Sequence, residues 1–386
     1  MTEVRVNRKG ANRVASGHPW IFSSDVAERD HAAPGSVVRV ADPERRALGM
    51  AHYSSTSQIC LRLLSREIQE IGPDFFAQRL AEANEFRRMV VRDTDAYRVV
   101  HGEGDRLPAL VVDRYSDYLV IQTLDQGMDA AKDWIVAALV NLFSPRGIIA
   151  RNDVAVRAHE QLPLETGVVY GEAPGDLTVH MNGLSFRADL LGGQKTGIFL
   201  DQRENYLAAA GYAHGRALDC FTSTGSFALH LAAKCESVEA VDSSAAALAT
   251  AEANRLANGI GNVTFREADV FEVLAGYASA RREFSTVVLD PPAFAKSRRN
   301  LEAAARGYKE INLRALRLLG PGGVLVTCSC SHHLSEAMLL EIVAEAALDA
   351  KRELRVLERR TQAQDHPILL TVPETCYLKC LVLQLV

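Results

Sequence analysis

The chain lacks several features that would have placed it quickly. Its seven cysteines (Cys60, Cys220, Cys235, Cys328, Cys330, Cys376 and Cys380) include no C-x-x-C pair. A zinc site or a disulfide framework is therefore disfavoured, no metal is expected, and the count suits a reducing cytoplasm. No apolar run reaches eighteen residues or more, so a membrane partner is not expected. The opening segment MTEVRVNRKGANR has no apolar core of a secretory signal. G-x-G-x-x-G is missing, which counts against a dinucleotide enzyme. No internal repeat or low-complexity tract competes with a globular reading. A net charge of −5 argues neither for nor against nucleic acid, because a whole-chain sum hides a local patch. What is present is ordinary for a folded protein: 48% hydrophobic and 24% charged residues, in 386 positions that leave room for two or three domains.

The informative stretch is Arg216 to Leu231, RALDCFTSTGSFALHL. Ala217 to Phe221 reads as a short apolar strand carrying Asp219. Thr222 to Ser226 is a turn of small residues, and Phe227 to Leu231 opens a helix with apolar positions at helical spacing. A strand, a glycine-containing turn and a helix N-terminus form the place where an α/β sheet grips an adenosine-containing ligand. Asp219, Phe221, Thr224 and Gly225 belong to this turn. Its D-x-F-x-x-x-G pattern resembles the first motif of class I methyltransferases, which bind S-adenosylmethionine.

Three regions are expected. Residues 1–70 alternate apolar and polar positions between Pro34-Gly35 and Asp42-Pro43 turns, with Arg5, Arg8, Lys9, Arg13, Arg39, Arg45, Arg46, Arg62 and Arg66 interspersed. That pattern is a small β-rich domain whose basic residues, Arg13 among them, either meet RNA or line a solvated face. Residues 71–175 start with a helix from Phe75 to about Val91 and continue as a small α+β domain, with Asp105 and Asp113 as turn formers. From 176 to 386 strands alternate with helices, the mark of a parallel sheet with crossovers. Strand ends are expected at Asp242, near Asp269, at Asp290 and at Cys328, the last strand following a Gly320-Pro321-Gly322-Gly323 turn. Ile368–Val372 and Tyr377–Val386 read as a closing hairpin.

Asp242 follows Asp219 by 23 residues, the spacing at which a carboxylate accepts ribose hydroxyls. Asp269 is placed to accept from an adenine amine, and a helix cap is the alternative for both. In Asp290-Pro291-Pro292-Ala293-Phe294 two residues without backbone donors force a rigid exit from a strand end. D/N-P-P-aromatic is the loop with which nucleic-acid base methyltransferases hold their target, and Phe294 either stacks on a base or belongs to the core. Lys296, Arg298 and Arg299 follow, which fits a ligand carrying phosphates. Cys328 and Cys330 share a strand face, but Cys330 sits further out, where a reactive thiol is needed. A thiolate that adds to C6 of a cytosine turns C5 into an enamine able to attack a methyl donor. Asp290 would hydrogen-bond the ring edge.

With these residues assembled, the chain resembles the RlmI-type family of ribosomal RNA 5-methylcytosine methyltransferases. The likeness rests on KGANRVASGHPWIFSSDV, HGEGDRLPALVVDRY, GQKTGIFLDQREN, ALDCFTSTGSF, DPPAFAKS, Cys330-Ser331 and DHPILLTVPETCYLK, and covers essentially the whole sequence. It implies an α/β fold: a PUA domain, a compact RNA-binding β-barrel, then the middle domain and a Rossmann-like methyltransferase domain. It implies S-adenosylmethionine as cofactor, large-subunit ribosomal RNA as partner, and a homodimer. Carried over by motif, Gln194, Phe199, Asp201 and Arg203 flank the cofactor and Cys330 is the nucleophile. His366, in Asp365-His366-Pro367, and His18, in His18-Pro19-Trp20, are expected near RNA. Pro292-Ala293 stands where many RNA 5-methylcytosine enzymes carry a second cysteine, so no release thiol is identified. Two other readings remain open from residues alone: a guanine methyltransferase that needs no nucleophilic cysteine, and a non-catalytic RNA-binding factor.

Overall fold

The computed structural model describes residues 2–193, 196–294 and 300–386. Gln194, Lys296, Arg298 and Arg299 lie outside the described residues. The chain divides into two compact units: Met1–Val179 with Ala188–Leu200 and Gln364–Thr375, and His180–Arg187 with Asp201–Ala363 and Cys376–Val386.

The first unit opens with β1 (Glu3–Val6), α1 (Arg8–Ala15), β2 (Trp20–Phe22), β3 (Val26–Glu28), β4 (Val37–Ala41), β5 (Ala47–Tyr53) and β6 (Ile59–Ser65). They form a six-stranded sheet in the order β2-β6-β5-β4-β1-β3. Alternation sets its inner face: Val4, Val6, Val38 and Val40 are fully buried, while Arg5 and Arg39 between them bond Glu28 and Glu3 on the outer side. α2 (Pro73–Val90) begins with proline in its first turn, where the missing N–H costs nothing. β7 (Ala96–His101), β8 (Leu110–Tyr115), β9 (Tyr118–Thr123), α3 (Gln126–Ala130), α4 (Lys132–Phe143), β10 (Gly147–Arg151) and β11 (Thr166–Gly171) follow. Their five strands lie in the order β11-β10-β9-β8-β7. Met50 and Leu64 of the six-stranded sheet share one core with Phe76, Leu80, Val112 and Ile121. The regions expected as 1–70 and 71–175 thus belong to a single compact unit. A buried ion cluster reinforces the join, Arg62 reaching Glu160 at 3.0 Å and Asp125 at 3.4 Å.

Two expectations are corrected in this unit. Asp113 is no turn residue: it lies inside β8 with no exposed surface, held by Arg98 at 2.8 and 2.9 Å and by the Thr196 hydroxyl at 2.6 Å. Alternation places it with the buried Tyr115 on the face opposite Leu110 and Val112, and a buried carboxylate there requires such partners. Asp105 does sit in a turn, but its carboxylate grips the buried Arg87 guanidinium and accepts from the His101 amide. Ile368–Val372 is not a strand. Pro367 and Pro373 flank it, and its amides turn inward locally, Leu369 N–H to Thr375 Oγ1 at 2.9 Å and Val372 N–H to the Leu369 carbonyl at 2.8 Å.

The second unit includes most of a hairpin, β12 (Leu177–Met181) and β13 (Leu184–Ala188), then α5 (Arg203–Tyr212), β14 (Arg216–Cys220), α6 (Ser226–Leu231), β15 (Ser237–Asp242) and α7 (Ala245–Ala257). It continues with β16 (Val263–Glu267), α8 (Val270–Ser279), β17 (Phe284–Leu289), α9 (Leu301–Leu318), β18 (Leu319–Ser329), α10 (Glu336–Ala350), β19 (Leu354–Arg360) and β20 (Lys379–Leu385). The seven strands run β16-β15-β14-β17-β18-β20-β19. The first five are mutually parallel and β20 is antiparallel to both neighbours. The closing hairpin is therefore β19 with β20. The Gly320–Gly323 segment is absorbed as a bulge in β18, where the register against β17 jumps from Phe284↔Leu319 to Thr286↔Val324. Strand order reverses between β14 and β17, and ligands settle at the carboxyl ends beside such a reversal. No helix among the described residues is long and apolar enough to cross a membrane.

Candidate active site

The site is built at the carboxyl ends of β14, β15, β17 and β18. After β14 the chain turns through Phe221 and Ser223, both left-handed at φ 64° and 51°, and Gly225 at φ 85°. Non-glycine residues held there mark a turn shaped by its surroundings. A Cβ on Gly225 would stand 3.2 Å from Ala251 Cβ and 3.3 Å from the Phe265 ring, so glycine is required by space as well as by φ.

Asp219 is fully buried at the base of this turn. One carboxylate oxygen, Oδ2, accepts from the Thr222 hydroxyl at 2.6 Å and the Ala228 amide at 3.0 Å. The other, Oδ1, has no hydrogen-bond partner. Burial pushes Asp219 up to about 7; the Thr222 bond opposes this, and the charges of Asp290 and Asp242 push further. A pocket where carboxylates repel one another, with one buried oxygen unsatisfied, fits a cationic ligand. Asp242 braces the same turn: Oδ2 accepts from the Ser223 amide and Oδ1 from the Ser244 amide, each at 2.9 Å. Each oxygen keeps acceptor capacity for hydroxyls. Asp269 caps α8, its side chain accepting from the Glu272 amide at 3.0 Å. The alternative role weighed for it is thus present in the structure.

Asp290 follows β17, and its Oδ1 accepts from Gln202 Nε2 at 3.0 Å. The chain of bonds continues outward: Asn205 Nδ2 donates to Gln202 Oε1 at 2.7 Å, and Arg360 Nε donates to Asn205 Oδ1 at 2.9 Å. Asp201, just before α5, accepts from the Tyr377 hydroxyl at 2.8 Å. Tyr206 is buried among these acids; burial and then the charges of Asp290 and Asp201 hold its hydroxyl well above the usual range. Gln202, Asn205 and Tyr206 were not singled out from sequence. The available signal was the place of Gln202 and Asn205 in GQKTGIFLDQREN, close to Asp201 and Arg203, with Tyr206 the next residue along. Arg203 is itself only 2% exposed, its backbone carbonyl accepting from Asn182.

Pro291 is buried and Phe294 half-buried. The Phe294 ring lies 4.7 Å from that of Tyr308 and packs on the core of this unit. Tyr308 in turn accepts from the Ser329 hydroxyl at 2.9 Å and bonds Ser331 Oγ at 3.0 Å, so the residues on both sides of Cys330 are pinned. The two candidate thiols differ sharply. Cys328 is fully buried opposite Cys380, and their hydrogen bond, then burial, keeps its thiol well above the usual range. Cys330 stands beyond the end of β18 and is half-buried. The second position is the more accessible to a reacting group.

Phe199 and His366 belong to the first unit, as do Arg13 and His18. His366 is 2% exposed, with Nδ1 3.2 Å from Asp365 Oδ1 and its ring 5.2 Å from that of His101. His18 is buried, accepting at Nδ1 from the Trp20 amide and meeting Glu374 at 3.2 Å through Nε2. Arg13 covers the Phe22 ring at 4.7 Å.

Comparison with known proteins joins this geometry to a family. The family described as S-adenosylmethionine-dependent methyltransferase matches residues 152–383, and a PUA-like domain matches residues 4–66. The protein called ribosomal RNA large subunit methyltransferase I in Shewanella amazonensis is 42% identical over 374 residues, covering 95% of this chain and 94% of that protein. The chain belongs to this methyltransferase family. Its namesake in Tolumonas auensis is 39% identical over 393 residues, with 99% of each chain covered. Among solved structures, an S-adenosylmethionine-dependent methyltransferase from Streptococcus mutans superposes with a TM-score of 0.85 over all of both chains at 20% identity. A methyltransferase structure complexed with SAH gives 0.86 at 20% identity, again over all of both chains. At that identity the likeness is one of fold. This methyltransferase therefore has the α/β Rossmann-like fold with an N-terminal PUA-like domain, and uses S-adenosylmethionine.

Proposed function

We propose that this methyltransferase methylates C5 of a cytosine in large-subunit ribosomal RNA through a covalent adduct at Cys330. The observation that carries the reading is the contrast between two thiols of one strand end, Cys328 locked and buried, Cys330 half-buried and flanked by pinned residues. A guanine methyltransferase has no use for that second thiol. The names of the relatives, ribosomal RNA large subunit methyltransferase I, support the substrate class.

The residues that would hold the cofactor are Asp219, Phe221, Thr224 and Gly225 of the first turn, with Asp242, Asp269, Asp290, Asp201 and Arg203. Gln194 and Phe199 of the same sequence motif are assigned with them. When bound, the cofactor supplies an electrophilic methyl group on a sulfonium. Asp219 Oδ1 and the neighbouring carboxylates favour that positive charge, and Asp242 takes the ribose hydroxyls. Cys330 Sγ adds to C6 of the cytosine, C5 becomes nucleophilic and accepts the methyl, and loss of the C5 proton lets the S–C6 bond break. Asp290, oriented by Gln202, holds the ring edge. Pro291 and Phe294 border the base, which must leave its stack to reach Cys330, and Lys296 of the same sequence motif is assigned to the substrate with them. Arg13, His18 and His366 are assigned to the RNA side of the first unit. The protein would act in the cytoplasm. Edge strand β11 exposes Val168, Val169 and Tyr170, a strip that a second copy would cover in a homodimer.

The test is a ribosomal RNA fragment containing 5-fluorocytidine. The wild-type protein with cofactor should form an adduct that survives denaturing electrophoresis, because fluorine cannot leave C5 as a proton does. Cys330→Ala should form none. Methylation of ordinary cytosine by Cys330→Ala would refute the mechanism.

A further inference from the structure

Lys379 begins β20 directly opposite Ser329, the last residue of β18, and Cys330 is the next residue along. Only 5% of Lys379 is exposed, an uncommon setting for lysine. Its Nζ donates to the Ser331 carbonyl at 2.6 Å and to the Tyr377 carbonyl at 2.9 Å. An ammonium has three donors, so two of them fix the position of the charge beside the backbone that follows Cys330. Among the described residues no Asp or Glu forms an ion pair with Lys379; the groups whose charge it senses are Cys330 and Cys376. A buried ammonium fixed at the carbonyl next to a thiol, with no carboxylate to neutralise it, is a charge waiting for a counter-ion.

We propose that Lys379 is a positioning residue that holds Cys330 as a thiolate, forming the ion pair from which the sulfur attacks. This rests on Cys330 being the nucleophile and adds what activates it. The thiol proton leaves to water, and the resting pair is S⁻ with NH₃⁺. On addition the sulfur electron pair forms the S–C6 bond and the negative charge passes to the ring. On release the C5 proton goes to a base, the S–C6 electrons return to sulfur, and the thiolate is again paired with Lys379. The partnership works in both directions, since burial lowers the Lys379 pKa and a neighbouring thiolate raises it.

Other titratable groups among the described residues face this pair. Tyr308 faces it from α9, with its hydroxyl raised chiefly by burial. Cys376 and Tyr377 precede β20, and the His332 ring lies tilted against that of Tyr377 at 5.7 Å. Glu336 at the start of α10 reaches Cys376, and Asp290 reaches the deeper Cys328–Cys380 pair.

The test is the pH profile of iodoacetamide alkylation of the full-length protein without RNA, read cysteine by cysteine by peptide mass spectrometry. Wild-type Cys330 should titrate below the ordinary thiol value of about 8.5. Lys379→Met should move that midpoint upward and slow alkylation at pH 7 at least tenfold, while Lys379→Arg keeps it low. A wild-type midpoint at or above the ordinary value overturns the proposal, whether or not the variants fold. So does a Lys379→Met profile that changes at Cys376 and not at Cys330. If Cys330→Ala still methylates cytosine, the nucleophile reading itself fails, a result separate from either of these.

Discussion

Cofactor binding should take up or release protons in a way set by Asp219. Its carboxyl is pushed from the usual carboxylate range up to about 7, chiefly by burial. A rise of that size disfavours the charged form by about 4 kcal/mol. A bound sulfonium favours the charged form, so binding should expel the proton wherever the empty site holds one. At pH 6 the empty site is about nine-tenths protonated and at pH 8 about one-tenth, if its midpoint is about 7. The association constant should therefore rise about tenfold from pH 6 to pH 8 and then level off. Calorimetry in two buffers of different ionisation enthalpy should show close to one proton released at pH 6 and almost none at pH 8. Asp219→Asn keeps the acceptor for Thr222 but cannot titrate. Protons exchanged by the cofactor's own amine are common to both proteins and cancel in the difference. Equal pH profiles for wild type and Asp219→Asn would refute the reasoning.

The same shift has a consequence for stability. Because the folded-state pKa lies above the unfolded one, the cofactor-free protein should gain stability as pH falls through 7, up to ~4 kcal/mol by about pH 4, and denaturant midpoints of Asp219→Asn should lack that gain. Gly225→Ala should cost ~1–3 kcal/mol by denaturant unfolding, since its Cβ would stand 3.2 Å from Ala251 in a left-handed backbone. Gln202→Ala removes the bond that aims Asp290, and should lower kcat about tenfold with cofactor affinity less affected in steady-state methylation assays. Arg98→Met strands the buried Asp113 and should cost ~3–5 kcal/mol in chemical unfolding at neutral pH, most of it recovered by Arg98→Met with Asp113→Leu.

The parallel sheet was legible because its strands are short, apolar and punctuated at the carboxyl end by Asp219, Asp242 and Asp290, a pattern that survives without any knowledge of packing. The turn at Phe221–Gly225 was legible for the same reason. What escaped were side chains whose role depends on elements distant in sequence. Gln202 and Asn205 acquire theirs from Asp290 and Arg360, and Lys379 from a register across β18 and β20. Asp113 was misread because polar residues between strands usually mark turns, whereas here Arg98 and Thr196 make a buried carboxylate tolerable. Ile368–Val372 carries the apolar content of a strand, but the prolines on either side deny it a ladder.

The central claim is that Cys330 makes 5-methylcytosine in ribosomal RNA. The most direct measurement is nucleoside mass spectrometry of that RNA from cells deleted for the gene and complemented with wild type or Cys330→Ala. The account predicts that deletion removes a single 5-methylcytosine, that wild type restores it and that Cys330→Ala does not. Restoration by Cys330→Ala, or loss of a methylguanosine in place of 5-methylcytosine, would contradict it.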